Sequence, residues 1–80
     1  MVIDYAARAE LFVAKRYAKS ASAQYKRFSS ASEAIRYCIE ELPEKALMGS
    51  FLEVNEKRFE GKATHALYTA EAYPLPRLAA

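Results

Sequence analysis

Apolar residues recur along this chain at two different periods, and the two periods divide it into elements. Between Ser29 and Pro43, in SSASEAIRYCIEELP, they fall at Ala31, Ala34, Ile35, Cys38, Ile39 and Leu42. That is the three-and-four spacing of one buried helical face. Ser30 and Glu33 stand at the spacing of a capping box, which satisfies orphaned backbone donors at a helix start. Pro43 ends the helix, because the residue before a proline avoids α geometry. The polar face carries Ser32, Glu33, Arg36, Tyr37, Glu40 and Glu41. A second helix is predicted over Lys62–Ala72, with Ala63, Ala66, Leu67 and Ala70 on its inner face and an extended tail, YPLP, after it.

Alternation marks the strands. Tyr25–Phe28 is YKRF, with Tyr25 and Arg27 on one face and Lys26 and Phe28 on the other. Each face carries a ring and a cation, so the strand is either covered on both sides or turned toward a partner. Leu52 and Val54 share a face in FLEV, and Asn55-Glu56 suits a tight turn that returns the chain through Lys57–Phe59 as a hairpin. Pro43–Met48 forms one further helical turn closed by Gly49. Glu10–Lys15 is read as a strand from its bulky apolar residues, although a helix over residues 4–16 satisfies the same letters. Ala18–Gln24 is a loop rich in Ser and Ala. The expected fold is α+β: a small mixed sheet of short strands with two helices packed on one face, in the order β-β-α-β-β-α. One small domain spans residues 1–80, with flexible ends at 1–9 and 74–80.

Composition changes this picture in one respect. Eighty residues, 52% of them hydrophobic and 28% charged, describe a globular chain. A domain of this size buries only about 60–65% of its unfolded surface, so its core is thin. The single cysteine cannot form an internal disulfide, and no Cys/His cluster offers a structural zinc site. Self-association is the remaining common way to stabilise so small a domain. The net charge of +2 is unevenly spread: residues 1–36 hold seven Lys/Arg against three Asp/Glu, and residues 37–80 hold five against seven. No targeting signal is visible and the longest apolar run, Leu11–Ala14, is far too short to cross a bilayer, so a cytoplasmic location without membrane contact is expected.

Several segments resemble a known family. YKRF, a helix ending in EELP, then LEV, RFEG, ALY and YPL follow the order of motifs in short uncharacterised proteins of alphaproteobacteria. The counterparts are Tyr25–Phe28, Ser32–Tyr37, Glu40–Pro43, Leu52–Val54, Lys57–Gly61, Thr64–Tyr68 and Tyr73–Leu75, together covering about residues 10–75. Thr64 departs from the isoleucine of that pattern, and the basic segment before Tyr25 is longer. The resemblance implies a bacterial origin and carries no activity.

Candidate chemistry is sparse. Cys38 lies late in its helix on the apolar stripe, where a small buried hydrophobe is expected rather than a nucleophile. His65, the sole histidine, is expected in solvent, and no metal or other cofactor is implied. Phosphate loops and dinucleotide turns are absent. What remains are surfaces. Tyr25, Arg27, Arg36 and Tyr37 have the composition of a protein interface, rich in tyrosine and arginine. Lys15, Arg16, Lys19, Lys26 and Arg27, interleaved with Tyr17, Tyr25 and Phe28, have the composition of a single-stranded nucleic-acid contact. The expected function is a non-enzymatic interaction domain acting as a homodimer or on another protein, with nucleic-acid binding as the alternative.

Overall fold

A computed structural model of the chain describes residues 3–17 and 24–76. Its strands are β1 (Ala9–Val13), β2 (Tyr25–Phe28), β3 (Ser50–Val54) and β4 (Lys57–Glu60), forming one sheet in the order β2-β1-β3-β4. The α+β class is as expected, but all three pairings are antiparallel where a mixed sheet was expected. The ambiguous segment resolves as strand because Ala9, Leu11 and Val13 alternate into the core and pair on both sides. A short 3-10 turn, Lys15–Tyr17, follows it. The β3–β4 turn has Asn55 at φ 51° and Glu56 at φ 67°. Two consecutive left-handed residues match the right-handed twist of a two-residue hairpin.

Strands β2 and β3 run in the same direction with β1 between them, so the chain joining them must cross one face of the sheet. That crossing is made by α1 (Ala31–Glu40) and a short α2 (Glu44–Met48), and α3 (Gly61–Thr69) follows β4 onto the same face. The shortest dimension, 19 Å, is that of two layers. The core lies between them: Leu11, Val13, Leu52, Val54 and Phe59 from the sheet meet Ala34, Ile35, Cys38, Leu67 and Tyr68 from the helices.

Helix α1 starts as predicted, with Glu33 N–H donating to Ser30 Oγ at 3.3 Å. The carboxylate of Glu33 accepts from Ser29 Oγ at 2.7 Å and from Ser30 Oγ at 3.3 Å. Those two bonds hold its pKa below the ordinary value. Ser32, expected on the polar face, is buried because Tyr5 and Tyr73 close over it. Its N–H donates to the Tyr5 carbonyl at 2.9 Å, and its carbonyl accepts from Tyr73 Oη at 3.0 Å.

Helix α3 is rotated from the expected face and stops at Thr69. Gly61, Thr64, Leu67 and Tyr68 are buried, while Ala66 is exposed. Two features set that rotation. Gly61 lets α3 approach α2 so closely that an added Cβ would stand 2.3 Å from the Leu47 carbonyl oxygen. Thr64 hides its hydroxyl by donating to the Glu60 carbonyl at 3.1 Å, so a polar residue sits inside without an unmet bond.

Three tyrosines then tie the chain's two ends to the helices. Tyr5 and Tyr73 meet edge to face at 5.9 Å, and Tyr68 and Tyr73 lie at 5.1 Å. Tyr5 Oη donates to the Leu67 carbonyl at 3.0 Å and Tyr68 Oη to Glu40 at 2.7 Å. Residues 3–8 and 74–76, expected as flexible, thus flank a bonded cluster, with Ile3, Tyr5 and Leu75 packed against the core.

Candidate functional site: the open face of the sheet

With the helices on one side, no described element covers the other side of the sheet, and strand register decides what it carries. Phe12 pairs with Tyr25 on β2 and with Phe51 on β3, and Phe51 pairs with Glu60 on β4. Paired residues point to the same face, so Tyr25, Phe12, Phe51 and Glu60 form one row across all four strands. The next row on that face is Arg27, Glu10, Glu53 and Arg58, again by direct pairing.

The first row is an aromatic strip. Phe12 and Phe51 stack with centroids 4.8 Å apart and planes at 17°, and Phe12 lies 5.1 Å from Tyr25. The Arg58 guanidinium lies over Phe51 at 4.1 Å, a cation–π contact that caps one end. At the other end Tyr25 Oη donates to Glu10, and Arg27 Nε donates to Tyr25 Oη at 2.9 Å. The Tyr25 oxygen, and then the charge of Glu10, push the Arg27 pKa above its ordinary value. Tyr25 is 37% exposed, and Phe12 and Phe51 are half-buried. Beside the charged row a depression of about 400 Å³ is lined by Arg8, Glu10, Arg27, Glu53, Asn55 and Glu56.

The residues expected to form a protein interface divide between the two sides. Tyr25 and Arg27 are on the open face. Tyr37 is on the helix side, 5.6 Å from Phe28 and with the Lys26 ammonium 5.1 Å above its ring. Arg36 and Tyr37 are both partly buried and border a shallow depression with Phe28, Ser29 and Glu33. The expected nucleic-acid residues are also dispersed: Arg27 and Lys26 point to opposite sides of β2, Lys15 and Arg16 are exposed after β1, and Lys19 lies outside the described residues.

Phe12, Phe51, Arg58, Glu10, Glu53 and Glu60 were not anticipated as site residues. A signal for them existed. Once Leu11 and Val13 face inward, Phe12 must face outward, and Leu52 and Val54 impose the same on Phe51.

Cys38 is fully buried, as its place on the stripe implies, and burial pushes its thiol up to about 12. His65 is exposed on α3. Among the described residues no group of three or more His, Cys, Asp or Glu side chains is placed to hold a metal ion. No described helix is long and apolar enough to cross a membrane. Elsewhere, Ile39, Leu42, Leu47 and the exposed Met48 line a second, apolar depression whose rim charges, Glu44 and Lys62, are of opposite sign. No family model, curated protein or solved structure matches the chain.

Proposed function

We propose that this protein is a non-catalytic interaction domain of the bacterial cytoplasm, working by self-association through the open face of its sheet. The observation that carries this reading is the aromatic strip Tyr25–Phe12–Phe51, three adjoining rings on a sheet face that no other described element covers. A solvated antiparallel sheet face ordinarily presents polar side chains. Rings in its centre gain free energy when they are removed from water, about 1.5–3 kcal/mol for full burial of a Phe side chain. The charges around the strip leave only a small negative excess, since Arg27 and Arg58 offset two of the three carboxylates Glu10, Glu53 and Glu60. A thin core without an internal disulfide, the chain having one cysteine, gives the same domain a reason to associate. Cys38, the one thiol of the chain, is buried in the core, which fits the non-catalytic part of the reading only in that this thiol is not presented as a nucleophile.

Single-stranded nucleic acid is the second reading, favoured by the stacked Phe12–Phe51 pair on the two central strands with an arginine over it. It ranks lower because the carboxylates on that face outnumber the cations, which repels phosphate.

Sedimentation velocity from low to high micromolar concentration tests the choice. The wild type is expected to shift toward a dimer, and Phe51→Lys to remain a monomer of native circular dichroism. A wild type that stays monomeric while retaining a labelled single-stranded oligonucleotide would transfer the face to the second reading.

A further inference from the structure

The sheet ends at two edges, and backbone register shows what each offers. Ala14 N–H donates to the Gly49 carbonyl at 3.0 Å, so these two residues form a hydrogen-bonded pair across β1 and β3. Such pairs recur at every second residue of an antiparallel ladder. Phe12 and Glu10 therefore also direct their backbone groups to β3, and Ala9 and Leu11 direct theirs to Phe28 and Lys26 on β2. The intervening residues of β2 turn outward: Arg27 presents both N–H and C=O at the sheet edge, and Tyr25 its C=O. Among the described residues no group pairs with these three. The opposite edge is shorter. On β4 the same count leaves Arg58 and Glu60 outward, but the Glu60 carbonyl accepts Thr64 Oγ1 and the chain enters α3 at Gly61.

The side chains of β2 select what can occupy its edge. An added strand sets its residues directly opposite those of β2 and on the same face. Opposite Arg27 on the open face, and opposite Lys26 on the helix face, it meets a cation; opposite Tyr25 and Phe28 it meets a ring. Arg27 engages its Nε with Tyr25 Oη and Lys26 lies over the Tyr37 ring, which leaves each with further N–H donors. The carboxylates nearby are set back or engaged. Glu10 on β1 and Glu53 on β3 lie two and three strand spacings, about 10 and 14 Å, from a residue added opposite Arg27, where salt screens them. Arg8, exposed in the depression that Glu10, Glu53 and Glu56 line, is a further cation. On the helix side Glu33 is bonded to Ser29 and Ser30 and Glu40 to Tyr68, while Glu41 shares its depression with Arg36. A second copy is a poor occupant of this edge. The two antiparallel registers that set Arg27 within the other β2 place Arg27 opposite Arg27, or Lys26 opposite Lys26, and like charges directly opposite destabilise a sheet.

We infer that β2 is a docking edge for an acidic extended segment of another protein, which adds as a further antiparallel strand. The antiparallel sense continues that of the sheet and is the slightly more stable pairing per residue. From its N-terminus the segment reads apolar–acidic–acidic–apolar, set against Phe28, Arg27, Lys26 and Tyr25 in turn. Backbone bonds to Arg27 and Tyr25 hold it, and the two carboxylates fix its register. The edge is distinct from the aromatic strip, so this inference does not rest on the self-association proposed above.

Titration of the isotope-labelled full chain with the peptide Thr-Val-Glu-Glu-Val-Thr, followed by NMR to millimolar concentration, tests the edge. The Arg27 amide signal is expected to shift saturably. The peptide Thr-Val-Lys-Lys-Val-Thr is expected to bind about 10-fold more weakly or worse, as for two exposed charge pairs reversed. A Lys26→Glu/Arg27→Glu chain of native circular dichroism should exchange these preferences. A second measurement needs no variant. Methylating the backbone nitrogen of the first glutamate removes the donor to the Arg27 carbonyl and should abolish binding by the wild type. Methylating that of the second, whose N–H points away from β2, should leave binding in place. Absence of a saturable shift with the Glu-Glu peptide, equal affinity for the Lys-Lys peptide, or equal loss from the two methylations would overturn the inference. Shifts confined to the amides of Phe12 and Phe51 would move the peptide to the open face and overturn it too. Sedimentation of the free chain reads self-association separately, so either proposal can fail without the other.

Discussion

Replacing Gly61 with alanine sets two opposing effects against each other, and the structure decides the sign. Alanine is the better helix former by up to about 1 kcal/mol in a helix interior, which alone would stabilise the variant. Its Cβ, however, would stand 2.3 Å from the Leu47 carbonyl oxygen, 2.9 Å from the Leu47 carbonyl carbon and 3.0 Å from Met48 Cα. All three atoms are backbone, so no flexible side chain can yield. Relief requires α3 and the end of α2 to separate by about 1 Å, in an interior whose packing tolerates insertion at a cost of about 1–3 kcal/mol. The same carbonyl accepts the buried Ser50 hydroxyl at 2.8 Å. Displacing it puts that bond at risk, at about 1–3 kcal/mol for an unsatisfied buried group. Net of helix propensity, Gly61→Ala is expected to cost about 2–4 kcal/mol, which lowers the melting temperature by about 10–30 °C in a domain of this size. Thermal and urea unfolding followed by circular dichroism measure it, and the Gly61→Ala/Ser50→Ala double variant should show less than the sum of the single losses. A melting temperature equal to or above the wild type would refute the close-approach argument.

Three further outcomes follow from local features. Glu33 is held below its ordinary pKa of 4.5 by the hydroxyls of Ser29 and Ser30, so its contribution is present above about pH 4.5 and is lost as pH falls through the lowered value. Glu33→Gln should therefore lose stability relative to wild type at pH 7, with the gap closing in acid; a gap independent of pH counts against the bonds. The Cys38 thiol, raised to about 12, gives the converse: stability is full below about pH 9 and declines as pH rises toward 12. Maleimide should label it only at the rate of unfolding, and rapid labelling of native protein at pH 8 would contradict its burial. Glu56 holds φ at 67° without the freedom of glycine, so Glu56→Gly should raise stability by about 0.5–1 kcal/mol in urea titration. A loss of stability there would mean that the Glu56 side chain makes a contact outweighing the strain.

Much of this fold was legible in the chain because the interactions that set it are short in sequence. The cap at Ser30, the α1 stripe ending at Pro43, the Gly49 stop and the Asn55-Glu56 turn each depend on residues within a few positions of one another. Cys38 was correctly placed in the core for the same reason, since a helical stripe assigns its members without reference to anything distant. The inner face of α3 was misassigned because alanine spacing is a weak signal. What set the face was the meeting of Gly61 with Leu47, residues that belong to different helices.

The sequence by itself determined the class of fold and most element boundaries, and it indicated that YKRF has two unlike faces. Only the tertiary structure decided which residues join them. Tyr25 and Tyr37 were grouped by composition, yet the first lies on the open face with Phe12, while the second packs behind the sheet on Phe28. Tyr25, Phe12 and Phe51 become one strip because β1 inserts between β2 and β3 in a particular register. A shift of one residue in either pairing would turn a strand's rings to the other side. Register is a long-range property, set by how the inward residues of all four strands fit against α1 and α3, and no local pattern encodes it.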